Sequence, residues 1–184
     1  KSAPRLFLKK FGSSVNGFGS KNSDVDLVLV SDDMEWYESK FSWANSQRQF
    51  AQDYLYYLGE LLPARWKTEY VGNARVPLLR ILDFPISRTK SVHVDITFMN
   101  TVCLLNSQLL RAYADHSADT FALCQVVKLW AKSNQLVSSP KNSHSFPTSY
   151  AWICLVIFFL QERVGVVEKL IGGPKGMIEP IWGC

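Results

Sequence analysis

Phe11-Gly12-Ser13-Ser14, followed ten residues beyond Ser13 by Asp24-Val25-Asp26-Leu27-Val28-Leu29-Val30, is the stretch on which the fold turns. Residues 5–11 form an apolar run that reads as a strand, ending in the Gly-Ser-Ser turn and a loop rich in Gly, Ser and Asn. A glycine lets backbone approach a phosphate closely, and Ser13 can add a hydroxyl donor. Over 24–30 the alternation sets Asp24 and Asp26 on one strand face, with Val25, Leu27 and Leu29 on the other. Carboxylates at i and i+2 of a strand project side by side, an arrangement suited to bridging metal ions. The bland alternative is an Asp pair on a solvated strand face at a turn. Aspartate is depleted in strand interiors, and this pair adjoins Leu-Val-Leu-Val, which favours the functional reading.

A third acid points the same way. In Ser91-Val92-His93-Val94-Asp95-Ile96-Thr97-Phe98 the apolar positions are Val92, Val94, Ile96 and Phe98, leaving His93, Asp95 and Thr97 opposite. If this strand lies beside 24–30, Asp95 joins Asp24 and Asp26 on one rim. Three clustered carboxylates repel one another unless a cation neutralises them. Oxygen ligands favour Mg²⁺ or Mn²⁺, and two such ions ~4 Å apart would organise an in-line phosphoryl displacement. The expected metal ligands are therefore Asp24, Asp26 and Asp95. His93, a single histidine on a strand face, is expected to be structural.

Outward from these acids, the first hundred residues alternate strand and helix signals. Ser46-Gln47-Arg48-Gln49 has capping-box spacing, and Phe50, Tyr54, Tyr57, Leu58 and Leu61 recur at helical spacing until Pro63. Residues 66–70, 76–82 and 92–98 read as strands, with loops at Gly72-Asn73 and 83–91. From about residue 101 the signals are helical only: 107–116, 119–133, a polar loop over 134–147, and a helix capped at Thr148-Ser149 and running to about Arg163. The tail, with Gly172-Gly173-Pro174 and Trp182-Gly183-Cys184, has no assignment. The expected architecture is α/β (α+β): a mixed sheet with flanking helices over 1–100, then part of a helical domain over 101–184.

The 184 residues are 47% apolar and 13% aromatic, enough to build a core. A formal charge of +4 is compatible with a polyanionic partner but common among ordinary enzymes. Cys103, Cys124, Cys154 and Cys184 stand far apart without a C-x-x-C pair, so they read as reduced thiols rather than a disulfide frame or zinc site. The longest apolar run, 151–160, is half the ~20 residues of a spanning helix, so no membrane partner is expected. No signal peptide is visible, though the chain opens inside a strand-like run, which leaves room for a processed or missing leader. An intracellular setting, cytoplasmic or mitochondrial, is the expectation.

With its G-S signature, D-x-D pair and third Asp, the chain resembles the DNA polymerase β-like nucleotidyltransferase superfamily. Within it the chain is most similar to noncanonical poly(A) polymerases and terminal uridylyltransferases. That similarity also rests on Asn73-Ala74-Arg75-Val76-Pro77, Asn106-Ser107-Gln108-Leu109-Leu110-Arg111-Ala112-Tyr113, Lys128-Leu129-Trp130-Ala131-Lys132 and Thr148-Ser149-Tyr150. The N-S-x-L-L-R-A-Y run and the S-Y helix start look most like compact protozoan uridylyltransferases. The family usually has helical sequence before the first strand and a long helical portion after the S-Y helix. Neither is evident here.

The resemblance implies catalytic Asp24, Asp26 and Asp95, with a nucleotide held in a cleft between the domains by Gly12, Ser13, Asn106, Lys128, Lys132, Ser149 and Tyr150. Arg75 would contact RNA. Each has a plainer alternative: Lys128 and Lys132, four apart on one helix, could form a solvated basic face, where like charges cost ~0.2–0.5 kcal/mol. Tyr150 could pack at a core edge, and Asn106 could cap the helix after it. The implied reaction is attack of an RNA 3′-hydroxyl on the α-phosphorus of UTP, with two Mg²⁺ or Mn²⁺ ions. The implied partners are a single-stranded RNA 3′ end and a larger RNA-processing complex. A poly(A) polymerase using ATP, an inactive RNA-binding scaffold and a small-molecule nucleotidyltransferase are the rival readings.

Overall fold

The computed structural model describes residues 5–21, 23–40, 46–138, 146–165 and 167. Five strands, β1 (Leu6–Phe11), β2 (Val25–Ser31), β3 (Lys67–Val71), β4 (Leu78–Pro85) and β5 (Ser91–Phe98), form one sheet in the order β1-β2-β5-β4-β3. β2 and β5 run parallel, and every other neighbouring pair is antiparallel. A parallel pair cannot be joined by a tight turn. Its crossover here contains α1 (Met34–Ser39), α2 (Gln47–Leu61), β3 and β4.

The sheet's apolar side follows from alternation. Val94, Ile96 and Phe98 on β5, with Leu79 and Ile81 on β4 and Leu29 on β2, are buried with Ala51 and Leu55 of α2. The stripe of α2 is rotated from the sequence expectation: Tyr57 and Leu61 are exposed, whereas Phe50, Ala51, Tyr54, Leu55 and Leu58 face the core. At about 100° per residue, a stripe centred between Phe50 and Leu55 leaves Tyr57 outside it, while Leu61 is the last residue of the helix. Tyr54 stacks on Phe98 with centroids 4.4 Å apart. The capping box is half formed. Ser46 accepts from the Gln49 amide at 3.1 Å, but the Gln49 side chain turns to Asp53 instead of returning to the cap.

Helix α1 was not legible in the residue pattern; one turn and a half is held by Asp33, whose carboxylate accepts from the Trp36 amide at 2.8 Å. β4 also extends beyond the expected 76–82, through a bulge between Ile81 and Phe84 in which Asp83 takes a left-handed backbone, φ 57°. Helix α3 (Val102–His116) begins five residues before the expected start at Ser107. Asn106 therefore lies inside the helix, and its capping role falls away.

The chain divides into two units, Lys1–Gln108 and Leu109–Cys184, with the division inside α3. In the second unit α4 (Ala118–Ser133) packs on α5 (Ser149–Phe159). Ser117 and Thr148 cap these helices by accepting from Thr120 and Ala151 amides. Beyond α5 the winding widens to a π-helical turn over Leu160–Val164 and stops at Gly165, φ 69°. No described helix is long and apolar enough to cross a membrane. Cys103, Cys124 and Cys154 are free thiols; Cys184 and the Gly172-Gly173-Pro174 tail lie outside the described residues.

Candidate active site

Parallel pairing of β2 with β5 places Asp26 directly beside Asp95 and Val25 beside Val94. Because alternate residues share a face, the same register sets Asp24 next to His93, whose Nδ1 lies 3.9 Å from an Asp24 oxygen. The Asp24/Asp26 pair and the sequence-distant Asp95 thus share one face of the sheet. Burial pushes the Asp26 carboxyl up to about 6, and the Asp95 and Asp24 charges push in the same direction.

Gly12 opens a one-turn 3-10 helix (Gly12–Ser14) at the end of β1 and adopts φ +69°. A Cβ there would collide with the Asp26 carboxylate, so glycine is required both by the backbone and by the approach to the acid. The Gly12 amide donates to Ser107 Oγ at 2.7 Å, which ties the turn to α3. Ser13 is half-buried behind it. The following loop is drawn in by Phe18, 1% exposed, and by the Asn16 side chain accepting from the Phe18 amide. Gly19 completes the closure, since a Cβ there would sit 2.7 Å from the Ser13 carbonyl oxygen.

One participant escaped the sequence reading. Arg80 on β4 is the register partner of Asp95 and grips both its oxygens, Nε and NH2 each at 2.8 Å, with Glu69 of β3 at 3.8 Å behind. Its position in 76–82, one residue off the buried alternation of Leu79 and Ile81, was the available signal. The bidentate fork turns Asp95 toward β4. Among the described residues, no three acidic, His or Cys side chains stand close enough to form a ready cation cage. The donor chemistry nonetheless fits hard divalent cations. It offers carboxylate oxygens only, on adjacent strands, with the inner acid's ionisation opposed by burial and by the other two.

The β4 bulge sets Leu82 and Asp83 opposite His93. A cavity of about 250 Å³ opens there, bordered by Lys21, Ser23, Asp24, Asp83, Lys90 and His93. His93, expected to be merely structural, borders this cavity beside an acid. Arg75 is not brought to the acids. It is exposed and borders a different groove, of about 460 Å³, with Arg48, Tyr37, Phe98 and Asn100. Its carbonyl, like those of Gly72 and Ala74, accepts from the Arg48 guanidinium. Asn106 is half-buried on α3, one residue before Ser107.

In the second unit Lys128 and Lys132 are one turn apart on α4, as expected, but unequal. Lys132 is exposed, while Lys128 is buried at 7% exposure. A solvated basic face does not describe Lys128. Burial, then Lys132, lowers its pKa. Ser149 and Tyr150 form the first turn of α5 after the Thr148 cap. Tyr150 is 42% exposed, and burial together with Cys154 pushes its phenol up to about 12, so it stays a neutral donor near pH 7.

Residues 1–115 match the family model described as poly(A) RNA polymerase, mitochondrial-like, central palm domain. Human terminal uridylyltransferase 7 is 29% identical over 178 residues, covering 94% of this chain and 11% of that protein. The human mitochondrial poly(A) RNA polymerase is 31% identical over 175 residues, covering 87% of this chain and 29% of its own length. Among solved structures, terminal uridylyl transferase 4 from Trypanosoma brucei with bound dUTP superposes with TM-score 0.67 at 26% identity, covering 87% of this chain and 49% of that one. The chain thus spans between a tenth and a third of the curated relatives it matches. The mixed sheet, the converging acids and these matches together place the chain in the nucleotidyltransferase family of noncanonical poly(A) polymerases and terminal uridylyltransferases.

Proposed function

We propose that this protein is a template-independent RNA 3′-terminal nucleotidyltransferase that uses UTP, joining UMP to an RNA 3′-hydroxyl and releasing pyrophosphate. The observation that carries the reading is the Asp26–Asp95 register pair with Asp24 on the same face. Asp24 and Asp26 would hold two Mg²⁺ or Mn²⁺ ions, with Asp95 completing the set. Those ions, when bound, supply charge neutralisation for the attacking and leaving oxygens.

The remaining work falls to the chain's own groups. Ser13 offers a hydroxyl to the terminal phosphates, beside a glycine that lets the turn lie against the Asp26 carboxylate. Arg80 holds the Asp95 carboxylate in a defined orientation through two hydrogen bonds, which supports a stable position for an acid that could take the 3′-hydroxyl proton. Lys128 and Lys132 supply cationic charge to phosphates, and Tyr150 an aromatic face for the base, a contact worth ~1–3 kcal/mol in single-strand binding. Asn106 can donate and accept through one amide, so it suits a ribose hydroxyl or a base carbonyl. Arg75 is proposed as an RNA contact outside the acid cluster.

Uridylate is favoured by the N-S-x-L-L-R-A-Y run, the S-Y helix start and a uridylyltransferase relative aligned over 94% of the chain. The second reading, a poly(A) polymerase using ATP, is favoured by the family model itself and by the 31% identical mitochondrial enzyme. Extension of a labelled oligo-RNA with each of the four triphosphates and Mg²⁺ or Mn²⁺ tests both. UTP is expected to give the highest kcat/KM; preference for ATP would overturn the base assignment, and no incorporation with any triphosphate would overturn the enzyme.

A further inference from the structure

A cavity of about 250 Å³ stands beside Asp24. The β4 bulge borders it: two residues, Leu82 and Asp83, oppose the single His93, and Asp83 and His93 both line the cavity. Its cationic groups come from separate loops, Lys21 from the segment before β2 and Lys90 from the β4–β5 connection. Among the described residues neither ammonium has a carboxylate within ion-pair distance, whereas the Asp24 carboxylate lies 3.9 Å from His93 Nδ1. Two cations are thus held at the edge of the acid cluster with their charge uncommitted.

Position decides what they face. The Gly12–Ser13 turn follows Phe11, which pairs with Asp26 from the β1 side of β2. The cavity lies on the other side of the acids, where β5 and the β4 bulge begin. An in-line displacement requires the attacking oxygen and the departing pyrophosphate on opposite sides of the phosphorus. With the triphosphate at the Gly12–Ser13 side, the acceptor strand enters from the cavity side. At about 250 Å³ the cavity is smaller than the roughly 300–1,000 Å³ that encloses a whole small molecule, so it suits sugar-phosphate backbone rather than an entire nucleoside. Asp83, an acceptor at its edge, would repel a phosphate but can take a hydrogen bond from a ribose 2′-hydroxyl.

We propose that this cavity seats a phosphodiester of the acceptor RNA, gripped by Lys21 and Lys90, immediately upstream of the reacting 3′ end. The assignment rests on the nucleotidyltransferase reading for its direction of entry. The test compares the full chain with its Lys21→Gln/Lys90→Gln variant and with Lys40→Gln/Arg65→Gln, which removes equal charge outside the cavity. Fluorescence anisotropy with a short labelled RNA, over a salt series, reads binding. Extension kinetics read KM for RNA and for triphosphate separately.

Losing two phosphate contacts should make the log Kd against log salt slope shallower by about 1.4, at ~0.7 per contact on single strands. KM for RNA should rise about tenfold or more, with KM for triphosphate within about twofold of the unmodified protein. The Lys40→Gln/Arg65→Gln protein should keep its slope. RNA affinity and slope unchanged in the cavity variant, or equally changed in both variants, overturn the proposal, as does an unmodified protein that binds no RNA. If the unmodified protein binds RNA but incorporates no nucleotide, the enzyme reading falls while the binding arm still judges the cavity.

Discussion

Asp26 sits between two other carboxylates and is half withdrawn from water, so folding works against its ionisation. Its carboxyl, raised to about 6, stabilises the fold when protonated, and that contribution disappears as pH rises through about 6. In chelator, Asp26→Asn should therefore raise stability at pH 7.5 by roughly 1–2 kcal/mol after allowing for solvent screening, and flatten the stability profile between about pH 4 and 6. Thermal denaturation across that range reads the effect; a destabilised variant at pH 7.5 would contradict it. The same substitution should reduce incorporation by about 10² or more, because a proposed metal ligand is lost. Arg80 acts through a fork that lysine cannot reproduce, so Arg80→Lys should lower kcat on the order of tenfold and leave the triphosphate KM little changed. Equal kcat for the two proteins would remove Arg80 from the account.

At the scale of elements, the Gly12–Ser14 turn depends on a backbone conformation and a clearance that only glycine meets together. Gly12→Ala should cost more than ~1 kcal/mol in urea denaturation, through φ +69° and the Asp26 collision, and should abolish most activity. A fully active Gly12→Ala protein would show that the turn can shift without consequence. Helix starts offer a cleaner comparison, because Ser46, Ser117 and Thr148 each accept one amide at their N-cap. Alanine at any of them should cost about 0.5–2 kcal/mol. Only Thr148→Ala, next to Ser149 and Tyr150, is expected also to weaken nucleotide binding in a titration.

For the whole molecule, the residues proposed for the reaction are divided by the fold: the acids and the Gly12–Ser13 turn belong to the first unit, Lys128, Lys132 and Tyr150 to the second. Lys132→Ala should raise the triphosphate KM by about tenfold without changing thermal stability, since that side chain is exposed. Lys128→Met should show the same KM defect, with a loss of thermal stability that Lys132→Ala does not share, because the Lys128 side chain is buried. If both variants keep the unmodified KM in steady-state assays, the second unit has no part in holding triphosphate.

The acids were legible because alternation is local: Asp24 and Asp26 share a face by geometry alone, and so do His93 and Asp95. The helix starts at Ser46, Ser117 and Thr148 lay close to readable polar-to-apolar transitions for the same reason. What residue order could not supply was which strands become neighbours and where a partner's register slips. Sequence alternation left open whether β2 and β5 would pair, with Asp26 against Asp95, although more than sixty residues separate them. Arg80 looked like any polar residue in a strand until β4 came to lie beside β5. The α2 stripe and the early start of α3 were likewise settled by the sheet they pack on, since burial chooses among helical faces that propensity leaves nearly equal. Local periodicity determined which side each acid takes. Strand pairing, with one bulge opposite His93, decided what stands next to it.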